Sequence, residues 1–553
     1  MAELTQSEIQ ATPRRPRAVE DEEDIISTPD MHNVAMKIQR AREAYEEYVG
    51  NQNKPSKGEV FGWYFYGLCS YFIHTVLVPI MFPLIISQTV PKPPEPQQGW
   101  LRSYKGLECT EKKMQVYASL IHPSIKINDI HLSPLEWTSV AWVLGLILAA
   151  PVLSIFSVHL DHGQNQQLIA GAVTAIGALF CLPAGFFDTR WIFPPYIAAI
   201  IIAHTIGTTF HARHLGLMVR GFVGSAIRKS RFPDRKAVAG LLSVYSTAAG
   251  CLGAAIISSF IYYMLRKPDS FTSLWVVSIF SGLIWLSGTA QIFVTTRTNE
   301  IIKKTITESN PKSSHILSIF KYPHAAGSLV GVFLSSFTTM CIFTGGVLYS
   351  VGDLCLEGNN ILYLWLIYFI FPLLSLPLSH QLQQIIRADA VKMQLLGFLL
   401  STATSGFGFY FRDKNWKVPH LLFFSAVHST STGLLYAFGR VLLMDCSPAG
   451  KEGAFSAWFS WVRGLGIFAG FALASAIPGN VQRAFAVSFC TAVAGIVVLI
   501  FGNIDNFRGA KAAGHVIEQQ SQQGSPVHGL DSGGVEVKES IIKEASHEEK
   551  IEV

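Results

Sequence analysis

Charge is missing from this chain in blocks. Six stretches of its first half contain no Asp, Glu, Lys or Arg: Val60–Pro91, Trp137–Leu160, His162–Phe187, Trp191–Ala212, Ala237–Leu265 and Ser270–Thr296. Five more follow: Tyr322–Gly352, Gly358–Ile386, Met393–Phe411, Val418–Gly439 and Ala484–Ile504. These eleven gaps run from 19 to 32 residues. A twelfth, Gly453–Gln482, is interrupted once, by Arg463. A membrane helix needs about 20 mainly apolar residues. The pattern predicts an all-α membrane protein with twelve transmembrane helices. It excludes a soluble enzyme, a secreted disulfide scaffold and a nucleic-acid-binding protein. Only 15% of the 553 residues are charged, against roughly 25% in soluble domains.

The polar segments divide the chain. Residues 1–58 form an N-terminal tail whose first thirty residues read as disordered; Met31–Asn51 has the composition of a short helix. Residues 59–296 hold six predicted helices, 297–321 form a polar central linker, and 322–507 hold six more. From 508 to 553 the chain reads as a mobile tail. Basic residues favour the cytoplasm. The loop between spans 4 and 5 and the central linker carry twelve Lys and Arg in two loops, against seven in the five short loops after spans 3, 5, 7, 9 and 11. That places both termini in the cytosol, although the long loop 92–130 carries six basic residues of its own. No two of the eight cysteines are spaced as CxxC, so no zinc or redox motif is read and no metal is expected. Cys109 and Cys355 fall in loops on the same non-cytosolic side, where a disulfide between them is open.

Twelve helices in two six-helix halves resemble the plan of the major facilitator superfamily. Two motifs narrow the likeness. The first span opens with Gly62-Trp63-Tyr64-Phe65-Tyr66-Gly67, and the entry to span 11 reads Ser447-Pro448-Ala449-Gly450-Lys451-Glu452-Gly453-Ala454-Phe455. Both look like the autophagy-linked vacuolar amino-acid effluxers, a branch of that superfamily. Asp234-Arg235-Lys236 also resembles that branch's entry to helix 5. Two places depart from the pattern. Leu68-Cys69-Ser70-Tyr71-Phe72 stands where the branch often has an acidic residue, and His159-Leu160-Asp161-His162-Gly163 lacks the basic residues of the superfamily signature.

The resemblance implies a solute site near the bilayer midplane between two rocking halves, with helices 1, 4, 7 and 10 on its wall. His74, His204 and His428 fall in spans 1, 4 and 10. Histidine titrates near neutral pH, so these residues either bind a carboxylate or relay protons, or they simply tie helices together. Arg463 is the one basic residue read as well inside a span. It is either a counter-charge for an anionic solute or a snorkelling side chain.

No phosphate-binding Gly loop, nucleophile elbow or HExxH motif lies on a water-facing segment. The chain therefore reads as neither an enzyme nor an ATP-driven pump, and no cofactor is expected. The expectation is a secondary transporter of small polar solutes, working as a monomer in a lipid bilayer, with a proton gradient as the expected drive. The resemblance implies amino-acid efflux from a vacuole or lysosome to the cytosol. A sugar, peptide or organic anion is the alternative solute, and a non-transporting receptor or scaffold is the alternative class. Asp21-Glu22-Glu23-Asp24-Ile25-Ile26 looks like an acidic dileucine-type sorting signal; the plasma membrane is the alternative location.

Overall fold

The computed structural model describes residues 54–162, 166–182, 189–224, 226–267, 270–294, 315–411, 416–478 and 480–517. The expected sorting signal, the Met31–Asn51 helix, linker residues 297–314 and the tail beyond 517 lie outside the described residues.

Every charge-poor stretch holds a helix. The first six are α1 (Lys57–Gln88), α2 (Pro134–His162), α3 (Gln166–Cys181), α4 (Phe193–Val223), α5 (Phe232–Leu265) and α6 (Phe271–Val294). The last six are α7 (Pro323–Gly352), α8 (Gly358–Ile385), α9 (Ala390–Tyr410), α10 (Val418–Asp445), α11 (Glu452–Ala476) and α12 (Val481–Phe501). Among the described residues ten are long and apolar enough to cross a membrane, against the twelve expected. The exceptions have visible causes. α3 has 16 residues, and α9 dilutes its apolar run with Gln394, Ser401, Thr402, Thr404 and Ser405. The chain is a multi-pass membrane protein.

Outward faces are apolar. Leu144, Ile147, Leu148 and Ile155 of α2 and Leu374, Leu378 and Ile385 of α8 are exposed, at spacings that put each set along one helix flank. Lipid is the solvent that tolerates such faces. α1 is the opposite case, with 94% of its apolar window buried, so it runs through the interior. α2 and α4 pack on α11, while α5 packs on α8 and α10. Two apolar cores form, each drawing on both sets of six helices, and Tyr436 of α10 packs against both.

Local chemistry explains the helix boundaries. Ser133 and Glu136 start α2 with a reciprocal capping box, at 2.7 and 3.2 Å. Pro194 and Pro195 occupy the first turn of α4, where the missing N–H costs nothing. α8 breaks at Phe371–Pro372. In α1, Pro79 sits within a π-helical segment, Ile73–Met81. Such wide turns re-aim side chains and concentrate at functional sites.

The C-terminal boundary is corrected. The chain was expected to be mobile from 508, but Asn506–Ala512 is a helix and Val516–Ile517 pairs in parallel with Ile227–Arg228 of the α4–α5 loop. Asp505 caps that helix, and Ala510 and Val516 pack with Ile227 and Phe232. The polar composition concealed this small apolar cluster.

Cys109 and Cys355 are disulfide-bonded, joining the α1–α2 loop to the α7–α8 loop. The opposite end is crowded with ion pairs between helices. These are called here the disulfide end and the ion-pair end.

Candidate functional site

The π-helical turn of α1 carries His74 to the wall of a cavity between α1, α7, α8, α10 and α11. The cavity holds about 50 Å³ and is lined by Tyr71, His74, Thr75, Ser336, Thr339, Tyr436 and Arg463, among others. Gly466 and Gly470 of α11 lie against the backbone of α7 at Phe333 and Phe337, so any Cβ there would clash and move Arg463.

Arg463 is 6% exposed. Its guanidinium lies 4.2 Å from the Tyr436 ring and 5.8 Å from Tyr71. It makes no ion pair or hydrogen bond with any described residue, and no carboxylate stands among the described lining residues. Cation–π contacts contribute about 0.5–2 kcal/mol each. Burying an uncompensated charge costs several kcal/mol.

His74 and His204 lie ring against ring, with centroids 4.0 Å apart and planes inclined at 57°. His204 Nε2 donates to the Ser70 carbonyl at 3.0 Å, which fixes its tautomer, and its Nδ1 has no partner. Neither ring nitrogen of His74 has a partner among the described residues. His74 therefore presents two unpartnered ring nitrogens at the cavity wall, with the His204 ring against it.

His428 does not join them. Its Nε2 donates to the Thr339 carbonyl at 3.2 Å, and it lines a second cavity of about 260 Å³ within the last six helices. Tyr368 and Phe343 line both cavities. The second one reaches the disulfide end at Lys105 and Asp353. Asp353 is 5% exposed. Burial pushes its carboxyl up to about 6, against the opposing pull of the Lys105 ammonium. The folded protein therefore holds this proton more tightly than the unfolded chain, and stability rises as pH falls through about 6 toward 4. Between pH 7 and 5 the wild-type melting temperature is expected to rise relative to that of Asp353→Asn. Parallel curves would contradict this assignment.

The family-like motifs lie at the ion-pair end. Gly62 gives α1 room against Val294 and Gln291 of α6. The Trp63 indole stacks on His211 of α4 at 4.6 Å and donates to its carbonyl, while Tyr64 faces Tyr245. Pro448 starts the turn that enters α11, and Gly450 adopts φ +75°, which suits glycine. Burial and Lys321 lower the Lys451 ammonium, against the pull of Asp161. Glu452 pairs with Arg220 of α4, and Phe455 is fully buried beside Tyr322.

Most of this end lies beyond the charge-free stretches. α4 continues past Ala212 with Arg213 and Arg220 buried, and α10 continues past Gly439 with Arg440 wholly buried. Arg463 is therefore not the one buried arginine of the helices. Asp161, in the reduced signature, is the hub. It accepts from the Gly453 and Ala454 amides at 2.6 and 3.2 Å, bonds His315 at 2.8 Å and lies 3.8 Å from Arg213. Arg235 meets Asp445 at 3.0 Å. The Asp161 bonds to Gly453 and Ala454, the Arg220–Glu452 pair and the Arg235–Asp445 pair close α2, α4 and α5 onto α11 or α10. The available signal was the apolar run that resumes after Arg440.

No family model matches this chain, and no curated protein matches it. Solved structures do. The human organic anion transporter MFSD10 (TETRAN) matches with a TM-score of 0.51 at 12% identity, over 81% of this chain and 100% of that one. The chain has the fold of that transporter. At such identity the likeness extends to the fold alone.

Proposed function

We propose that this chain is a secondary transporter, with twelve spans in two six-helix halves, that moves small carboxylate-bearing solutes by alternating access. The observation that carries this reading is Arg463, buried in an interhelical cavity without a described counter-charge. A guanidinium pairs a carboxylate through two parallel hydrogen bonds. The fold match adds a precedent, since that transporter is named for organic anions. His74 and His204 are the proposed proton site. His428 is proposed to act on the path through the second cavity. The Asp161, Glu452 and Asp445 contacts are the closed gate of the ion-pair end. The basic loops favour the cytosol for that end.

Amino acids are the second reading, favoured by the Gly62–Tyr64 and Pro448–Phe455 motifs. Efflux from a vacuole or lysosome to the cytosol belongs to that reading. With no lining carboxylate described, an α-ammonium would meet the Tyr71 and Tyr436 rings and the Thr339 and Ser336 hydroxyls.

The test is flux into proteoliposomes of radiolabelled benzoate, succinate, glutamate and leucine, with and without a pH gradient. Uptake of at least one, accelerated by the gradient, is expected. No flux of any of them at any gradient would favour the non-transporting scaffold.

A further inference from the structure

Arg440 is the second uncompensated arginine of the interior. It is wholly buried, and its guanidinium lies 5.1 Å from the Tyr436 ring, the same ring that Arg463 covers at 4.2 Å. Trp63 supports it as well, at 5.1 Å. The buried carboxylates at this end face other cations: Glu59 meets His214, Asp161 meets Arg213 and His315, Asp445 meets Arg235 and Glu452 meets Arg220. None of them pairs with Arg440.

Its hydrogen bonds go to Ser243 of α5. Nε donates to the Ser243 hydroxyl at 3.1 Å, and Nη2 donates to the hydroxyl at 2.8 Å and to the carbonyl at 3.0 Å. Ser243 in turn donates to the Ala437 carbonyl at 2.7 Å. Nη1 approaches His211 Nδ1 at 3.5 Å. Neutral acceptors satisfy the donors but not the charge.

The placement is directional. Arg463 lines the central cavity, whereas Arg440 does not and lies on the ion-pair side of Tyr436, among Trp63, His211 and Ser243. Ser243 and Arg440 belong to different sets of six helices. Parting α5 from α10 at this end breaks their bonds and leaves the guanidinium facing the opened passage.

We propose that Arg440 is a second binding residue for the carboxylate of the transported solute, engaged when the ion-pair end opens. The anion then passes from Arg463 across the Tyr436 ring to Arg440, whose Ser243 bonds it replaces. This rests on the reading that the solute is an anion.

The test uses full-length protein in proteoliposomes of defined orientation. The probe is the fastest-flowing of benzoate, succinate, glutamate and leucine, offered at each end in turn. In Arg440→Gln, KM at the ion-pair end should rise about tenfold, while KM at the disulfide end stays within about twofold. Arg440→Lys should recover part of the loss. Ser243→Ala removes the strap but keeps the charge, so KM at the ion-pair end should not rise. Equal KM changes at both ends, no change at either, or an Arg440→Gln pattern in Ser243→Ala would overturn the proposal. Should Arg440→Gln not fold, Arg440→Lys carries the test: a rise confined to the ion-pair end supports it, and an even rise overturns it. Failure of the anion reading itself would look different, as no wild-type flux of any probe.

Discussion

Arg463→Gln should cut carboxylate flux about 100-fold while the protein keeps its fold. That size corresponds to roughly 3 kcal/mol, the upper range for hydrogen bonds to a charged group. Glutamine keeps most of the length and the donor character but removes the charge. Arg463 rests against Tyr436 and Tyr71 and bonds no described residue, so its loss relieves an uncompensated charge. The melting temperature should therefore hold or rise even as flux collapses. Arg463→Lys should fall between the two, since an ammonium keeps the charge but loses the planar two-bond geometry. Flux and melting temperature, measured on the same preparations, separate the roles. A snorkelling arginine predicts normal flux in Arg463→Gln. A purely structural arginine predicts loss of both.

The second large effect concerns Asp161. Its carboxylate caps the start of α11 through the Gly453 and Ala454 amides and meets Arg213 and His315. Asp161→Asn keeps the shape and removes the charge. Breaking a buried ionic arrangement from one side costs about 3–5 kcal/mol. Here the cost falls on the closed state of the ion-pair end, because these contacts bridge α2 and α11. The conformational equilibrium should shift by about 100-fold or more toward opening at that end. Thiol labelling of a Ser243→Cys reporter from the ion-pair side measures it. Labelling should accelerate in Asp161→Asn and stay slow in the Asp161 parent. Unchanged labelling would remove Asp161 from the gate.

The fold was legible because a bilayer penalises charge, so helices reveal themselves by what they omit. The same rule truncated them. α4 and α10 run past the first arginine because Arg220 and Arg440 find partners on α11, α5 and α1, far away in the chain. Pairing across helices leaves no trace in a window of sequence. His74 and Arg463 could be named in advance, as polar groups in otherwise clean spans. That His74 joins His204 whereas His428 turns to Thr339 depends on helix rotation, which no spacing encodes. The disordered reading of residues 508–517 failed for a related reason. Two buried apolar residues, Ala510 and Val516, suffice to dock a short segment when Ile227 and Phe232 already form the receiving surface.

The account stands on one pairing, between Arg463 and a carboxylate of the solute. Competition between the fastest-flowing carboxylate of the panel and its primary amide tests that pairing most directly. The two differ in charge and little in shape. The unlabelled carboxylate should inhibit wild-type flux about 100-fold more strongly than the amide. Equal inhibition by acid and amide would show that the charge of Arg463 is not what the solute recognises.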